Sequence, residues 1–192
     1  MKISSILFKA IIIIRISKYW LVGKFLGIYL SLLGCKVGKG LKCKSWPLFR
    51  MVPKSNIIIG NNVTIGYRIS LDILPTGKLK IGDHVNLTQD ILISSYNSVS
   101  IGAYSLIAER VSIRDEDHGI SNKEKIFSQE IISKPINIGD DVWIGANSII
   151  LKGSNIPDGC VVGANSVILS NSVLESNGVY AGNPLKMIKK RK

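Results

Sequence analysis

The chain has 192 residues, 46% of them hydrophobic and 20% charged. That suits one ordered domain with a short extension and excludes long disorder. The net charge of +12 is unevenly placed: no Asp or Glu precedes Asp72, and the first 71 residues hold 12 of the 25 Lys and Arg, leaving 13 basic residues against 13 acidic ones in the remainder. The N-terminal third therefore attracts anions, whether lipid head groups, nucleic acid or a phosphorylated substrate.

Residues 1–45 form the expected extension. Ala10 to Ile14 and Phe25 to Cys35 are almost wholly apolar, but Lys9, Arg15, Lys18 and Lys24 interrupt the segment. No stretch of about 20 residues is free of charge, as a spanning helix would need, and no signal-cleavage pattern follows. The reading is one or two helices in a membrane interface, with basic side chains at the head groups. A helical extension packed on the protein or on a sister subunit stays open as the alternative. Nucleic acid is not expected, because the basic residues are interleaved with Ile and Leu and no recognition motif is present. Cys35, Cys43 and Cys160 form no CxxC pair and read as reduced thiols of a cytoplasmic chain, at most peripheral to the inner face of the membrane.

Residues 46–192 carry a six-residue repeat. An apolar residue returns at Ile138, Ile144, Ile150, Ile156, Val162, Ile168, Leu174 and Tyr180, and small residues such as Ser148, Ser154, Cys160 and Ser166 follow four places later. Three earlier blocks show the same period: Ile59, Ile65 and Leu71; Ile81, Leu87 and Ile93; Ile101, Ile107 and Ile113. An α-helix would repeat at about 3.6 residues and an alternating strand at 2. A period of six in groups of three predicts short strands and turns, coiled into a prism with three parallel sheets, the aliphatic residues inside.

The longest break in the repeat, Gly119 to Pro135, follows Ile113-Arg-Asp-Glu-Asp-His118, and loops on a rigid solenoid commonly carry function. The stretch from Ile113 to Gly119, the segment Ile138 to Asn147 with Trp143 in it, Val162 to Ile168, and Tyr180-Ala-Gly-Asn-Pro184 occur in this order and in register. Together they resemble the hexapeptide-repeat acyltransferases, in the branch that O-acetylates sugars and surface polysaccharides, near the galactoside and xenobiotic acetyltransferases. The resemblance covers about residues 55–188. It implies a left-handed coil, a homotrimer with active sites shared between subunits, acetyl-CoA as cosubstrate, a sugar or glycan acceptor, and direct transfer with His118 as general base. An imidazole suits that role, because it exchanges a proton near neutral pH. Asp115, Glu116 or Asp117 would orient the ring or meet the acceptor, and Asp90 and Asn86 are further acceptor candidates. Trp143, Ala146, Ala164, Ser170, Lys186 and Lys189 would meet the cosubstrate, with a backbone N–H near Ala146 facing the oxyanion.

Other classes remain for comparison. Acyl transfer to an amino group of a nucleotide-linked sugar would use the same coil. A non-catalytic scaffold would not depend on His118. The β-helix carbonic anhydrases place three His on zinc, and this chain has two, His84 and His118. No metal is expected.

Overall fold

The computed structural model describes residues 2–192, with side chains from residue 6 onward. One helix, α1 (Lys2–Leu32), leads into a parallel β-helix. Six coils stack along the prism, their first strands being Lys36–Val37, Ile57–Ile59, Lys78–Ile81, Ser98–Ile101, Ile136–Ile138 and Asn155–Ile156. These align as a six-stranded parallel sheet, which we call face 1. The second strands of the coils form face 2, which gains Gly178–Ala181 and the antiparallel Lys186–Lys190 to reach eight strands. The third strands form the six-stranded face 3.

The register accounts for the six-residue period. Ile138 pairs with Ile101 below and Ile156 above, and Ile144 with Ile107 and Val162. Each inward residue therefore stacks on its equivalents one coil away, and all of these are buried. Full burial of such a side chain is worth about 1.5–3 kcal/mol. The small residues sit at tight corners, where Ser148, Ser154 and Ser166 are buried and turn their hydroxyls to carbonyl oxygens of Gly163, Leu151 and Gly163. The corners also need left-handed backbone, supplied at one edge by Asn62, His84, Tyr104 and Asp141, and at the next by Arg68, Asp90, Arg110, Asn147 and Asn165.

The structure corrects two sequence expectations. The boundary at 45/46 is too late, since the first coil begins at Lys36. Its inward positions, Val37, Cys43 and Phe49, keep the six-residue spacing, but two of the three are not aliphatic. The hexad at Leu174 forms no strand; residues 172–177 cross face 1 as a bend, and the coil resumes at Gly178–Ala181. At the C-terminal end, Arg191 donates to Asp141 Oδ2 (2.8 Å) and to the Gly159 carbonyl (2.9 Å), and Lys190 pairs with Glu175.

Helix α1 is single, and its second half packs on the first coil. Leu26 and Leu30 are fully buried, Gly23 lies against the Leu41 carbonyl, and Tyr29 meets Trp46 and Phe49. From Ile6 to Ile16 the helix leaves Ile6, Leu7, Phe8, Ile11, Ile13 and Ile14 more than half exposed. The packed half thus follows the alternative reading, and the other half keeps the exposed, basic and apolar character on which the membrane reading rests. Among the described residues, no helix is long and apolar enough to cross a membrane.

Candidate active site

The chain leaves the fourth coil after Ser112–Arg114 and forms a small antiparallel ladder, Glu116–His118 with Ile131–Ser133. His118 pairs with Ile131 and so lies in a hairpin strand, where the sequence placed it at the end of a coil. Its side chain is exposed and forms no hydrogen bond among the described residues. The hairpin is well braced. Gln129 accepts from the Ser121 N–H (2.7 Å) and donates to the carbonyls of Ser121 and Glu124 (2.8 and 2.9 Å). Gly119 beside the histidine has no room for a side chain, since a Cβ there would lie 2.7 Å from Gln129 Oε1. The loop tip exposes Ile120 and Phe127 almost completely.

The three acidic residues before His118 have three different fates. Asp115 is fully buried and cannot meet an acceptor, contrary to expectation. Its carboxylate accepts N–H bonds from Tyr96 (2.7 Å), Asn97 (2.9 Å) and Ser98 (2.7 Å), and a hydroxyl bond from Ser95 (3.1 Å). It clamps the corner between the third and fourth coils and fixes the root of the hairpin. Asp117 is exposed on the far side and pairs with Lys152. Glu116 shares its strand face with His118, because residues two apart in a strand point the same way. Its Oε1 accepts from Ser94 (2.9 Å) and Arg114 (3.4 Å), while Oε2 is buried with no partner among the described residues. Burial pushes the Glu116 carboxyl above its ordinary range, and the Ser94 hydrogen bond opposes this in part. The sequence named Glu116 only as one of three neighbours of the histidine. Its supports lie 22 residues earlier, at Ser94, and two residues earlier, at Arg114, and the coil brings the first of them to it.

The remaining candidates sit elsewhere on the prism. Trp143 projects from face 2, half exposed, between Leu106 and Val161. Ala146 and Ala164 follow that face one coil apart, at the corner between faces 2 and 3, where the Asn165 N–H donates to the Ala146 carbonyl. The Ala146 N–H itself has no partner among the described residues. Lys186 and Lys189 are exposed on the last strand of face 2. Ser170 alone lies toward the hairpin, at the corner after face 3, packed on Gly153. Asp90 belongs to the corner between faces 2 and 3, held bidentate by Arg68, which lowers its pKa. The carboxylate that the sequence offered as an acceptor contact is thus engaged by Arg68. Asn86 lies on face 2 of the third coil, its Oδ1 buried and without a partner among the described residues. One chain therefore carries His118 on one edge of the prism and most of the cosubstrate candidates across another. A pocket of about 380 Å³ near the C-terminus, lined by Leu169, Asn183, Pro184 and Met187 among others, lies beside the Tyr180–Pro184 segment.

Residues 135–176 match the family described as bacterial transferase hexapeptide (six repeats). A protein of Escherichia coli (strain K12) named as a lipopolysaccharide biosynthesis O-acetyl transferase is 37% identical over 143 residues, 70% of this chain and 72% of that protein. A protein of Mycobacterium tuberculosis named as an acetyltransferase is 34% identical over 110 residues, 57% of this chain but 35% of its own length. Among solved structures, a mutant of an N-acyltransferase from Bacillus cereus, in complex with dTDP and coenzyme A, superposes with a TM-score of 0.71 at 24% identity, covering 85% of this chain and 88% of that one. A maltose O-acetyltransferase from Clostridium difficile 630 gives 0.56 at 23%, covering 88% and 86%. These likenesses give the coil its left-handed sense. With its hexapeptide register and its relatives, the chain belongs to the hexapeptide-repeat acyltransferases and is an acetyltransferase.

Proposed function

We propose that the protein is an acetyl-CoA-dependent O-acetyltransferase acting on a hydroxyl of a sugar, in a surface polysaccharide or its precursor. The observation that carries this is His118: an exposed imidazole without an intramolecular partner, on a hairpin strand anchored by the buried Asp115. The imidazole takes the proton of the hydroxyl as its oxygen attacks the thioester carbonyl. The tetrahedral oxyanion meets a backbone N–H, for which Ala146 has one to offer. Collapse breaks the C–S bond, and the imidazolium returns the proton to the departing thiolate. Glu116, on the strand face of His118, orients the ring or receives the sugar.

The separation of His118 from Trp143, Ala146 and Ala164 supports a homotrimer in which the edge of one copy meets face 2 of the next. The exposed Ile120 and Phe127 supply apolar surface for such a contact. The basic α1 supports a peripheral position at the inner face of the membrane, where lipid-linked glycans are assembled.

Transfer to an amino group is the second reading, favoured by the likeness to an N-acyltransferase in complex with dTDP. Thiol release from acetyl-CoA against hydroxyl sugars and nucleotide-linked amino sugars separates the two. Acceleration by a hydroxyl sugar, with an ester product cleaved by mild alkali, is expected. An alkali-stable amide formed only with amino sugars would overturn the O-acetyl reading.

A further inference from the structure

Helix α1 and the first coil flank an open groove of about 970 Å³, within the size range of ligand clefts. Trp20, Leu21, Ile28, Leu32, Val37 and Leu41 supply its apolar walls, and Gly27 leaves space beside Val37. Lys24 lines the groove, and Lys42 holds its ammonium 4.9 Å from the Trp20 ring. No carboxylate occurs anywhere in the first 71 residues. An apolar trough with a cationic rim and an indole at its mouth is complementary to one chemistry, a hydrocarbon chain ending in a phosphate.

We propose that this groove binds the acyl chain of an anionic bilayer phospholipid, with its phosphate between Lys24 and Lys42. Continuity with the rest of α1 favours a bilayer as the source. The segment Ile6–Ile16 runs on from the groove for about 16 Å and exposes Ile6, Leu7, Phe8, Ile11, Ile13 and Ile14 together with Lys9 and Arg15. An alternating spacing of four and three also runs along α1 through Leu7, Ile11, Ile14, Lys18, Leu21, Phe25, Ile28 and Leu32, and a helix of a second copy seated on it would cover Leu21, Ile28 and Leu32 of the groove wall. Charge argues against that occupant, because each copy would bring Lys9, Arg15, Lys18 and Lys24 and no acid to neutralise them.

Gly27 provides the test. Its Cβ position is 3.6 Å from Val37 Cγ1, an ordinary contact, whereas a Cβ at Gly23, Gly38 or Gly40 would clash. Gly27→Leu therefore fills the groove without forcing the backbone, and leucine favours the helix more than glycine. The proposal deepens the membrane contact proposed above and rests on it only for the lipid's source. Decyl phosphate below its micelle concentration, titrated into the full chain by calorimetry, is expected to saturate one site. Gly27→Leu should weaken it at least about tenfold, or about 1.4 kcal/mol, and a Lys24→Gln, Lys42→Gln double variant of unchanged thermal stability should weaken it as well. Inorganic phosphate should give no saturable binding. Vesicles containing phosphatidylglycerol should retain the wild type more than Gly27→Leu, and phosphatidylcholine vesicles should retain neither. Wild-type affinity for decyl phosphate in Gly27→Leu, or equal binding of inorganic phosphate, would overturn the groove as the site. Sedimentation of the wild type as an α1-dependent assembly that excludes decyl phosphate would give the groove to a second copy. Binding of decyl phosphate without any vesicle preference would overturn the bilayer as the source while leaving the groove a lipid-chain site.

Discussion

At the scale of residues, the acidic run before His118 shows how position in a fold decides what a carboxylate does. Asp115 looks in sequence like its two neighbours, and nothing local marks it for burial. The coil places it under the turn from Tyr96 to Ser98, where three N–H groups need an acceptor. Asp115→Ala leaves those donors unpaired, at a cost of about 3 kcal/mol or more. For a chain of this size that lowers the melting temperature by about 6–12 °C, measurable by differential scanning calorimetry. Glu116 behaves in the opposite sense. Its pKa is raised by burial, so the folded state holds the proton more tightly than the unfolded chain. Between the unfolded value and the raised folded one, stability falls as pH rises. Glu116→Gln removes that loss, so the variant's melting temperature should gain on the wild type as pH rises above the ordinary glutamate value of about 4.3. A constant difference across that range would mean that the carboxyl is not desolvated.

At the scale of elements, the coils were legible in the sequence because one aliphatic residue per hexad stacks on the next. The first coil was hidden because Cys43 and Phe49 fill positions that Ile or Leu fill elsewhere. The hairpin carrying His118 was illegible for another reason. Its strands, Glu116–His118 and Ile131–Ser133, have no apolar alternation and are held by backbone pairing and by Gln129. The last strand was similarly obscured, since Lys186–Lys190 reads as a basic tail but pairs with Gly178–Ala181 and covers the edge of face 2. Arg191 fastens its end to Asp141 and Gly159. Arg191→Ala should loosen this strand, and trypsin should cut at Lys186, Lys189 or Lys190 faster than in the wild type, while the coils stay intact. Equal cleavage rates would show that the pairing alone holds the strand.

At the scale of the whole molecule, the parts are distributed along and around one prism. Helix α1 packs on the first coil, and the hairpin carrying His118 springs from the fourth. Strands of a sheet lie about 4.8 Å apart, so some 14 Å separates those two coils. His118 was legible because the surrounding segments stand in the order and register of the family. The placement of Glu116 on the strand face of His118 required the fold, as did the separation of His118, on the hairpin, from Trp143, on face 2. The central claim is that His118 moves the proton, and turnover compared with cosubstrate binding tests it most directly. His118→Asn should lower turnover with the best sugar acceptor by about 10²–10⁴-fold and leave the calorimetric affinity for acetyl-CoA unchanged. Turnover within about threefold of the wild type, with the same affinity, would contradict the mechanism.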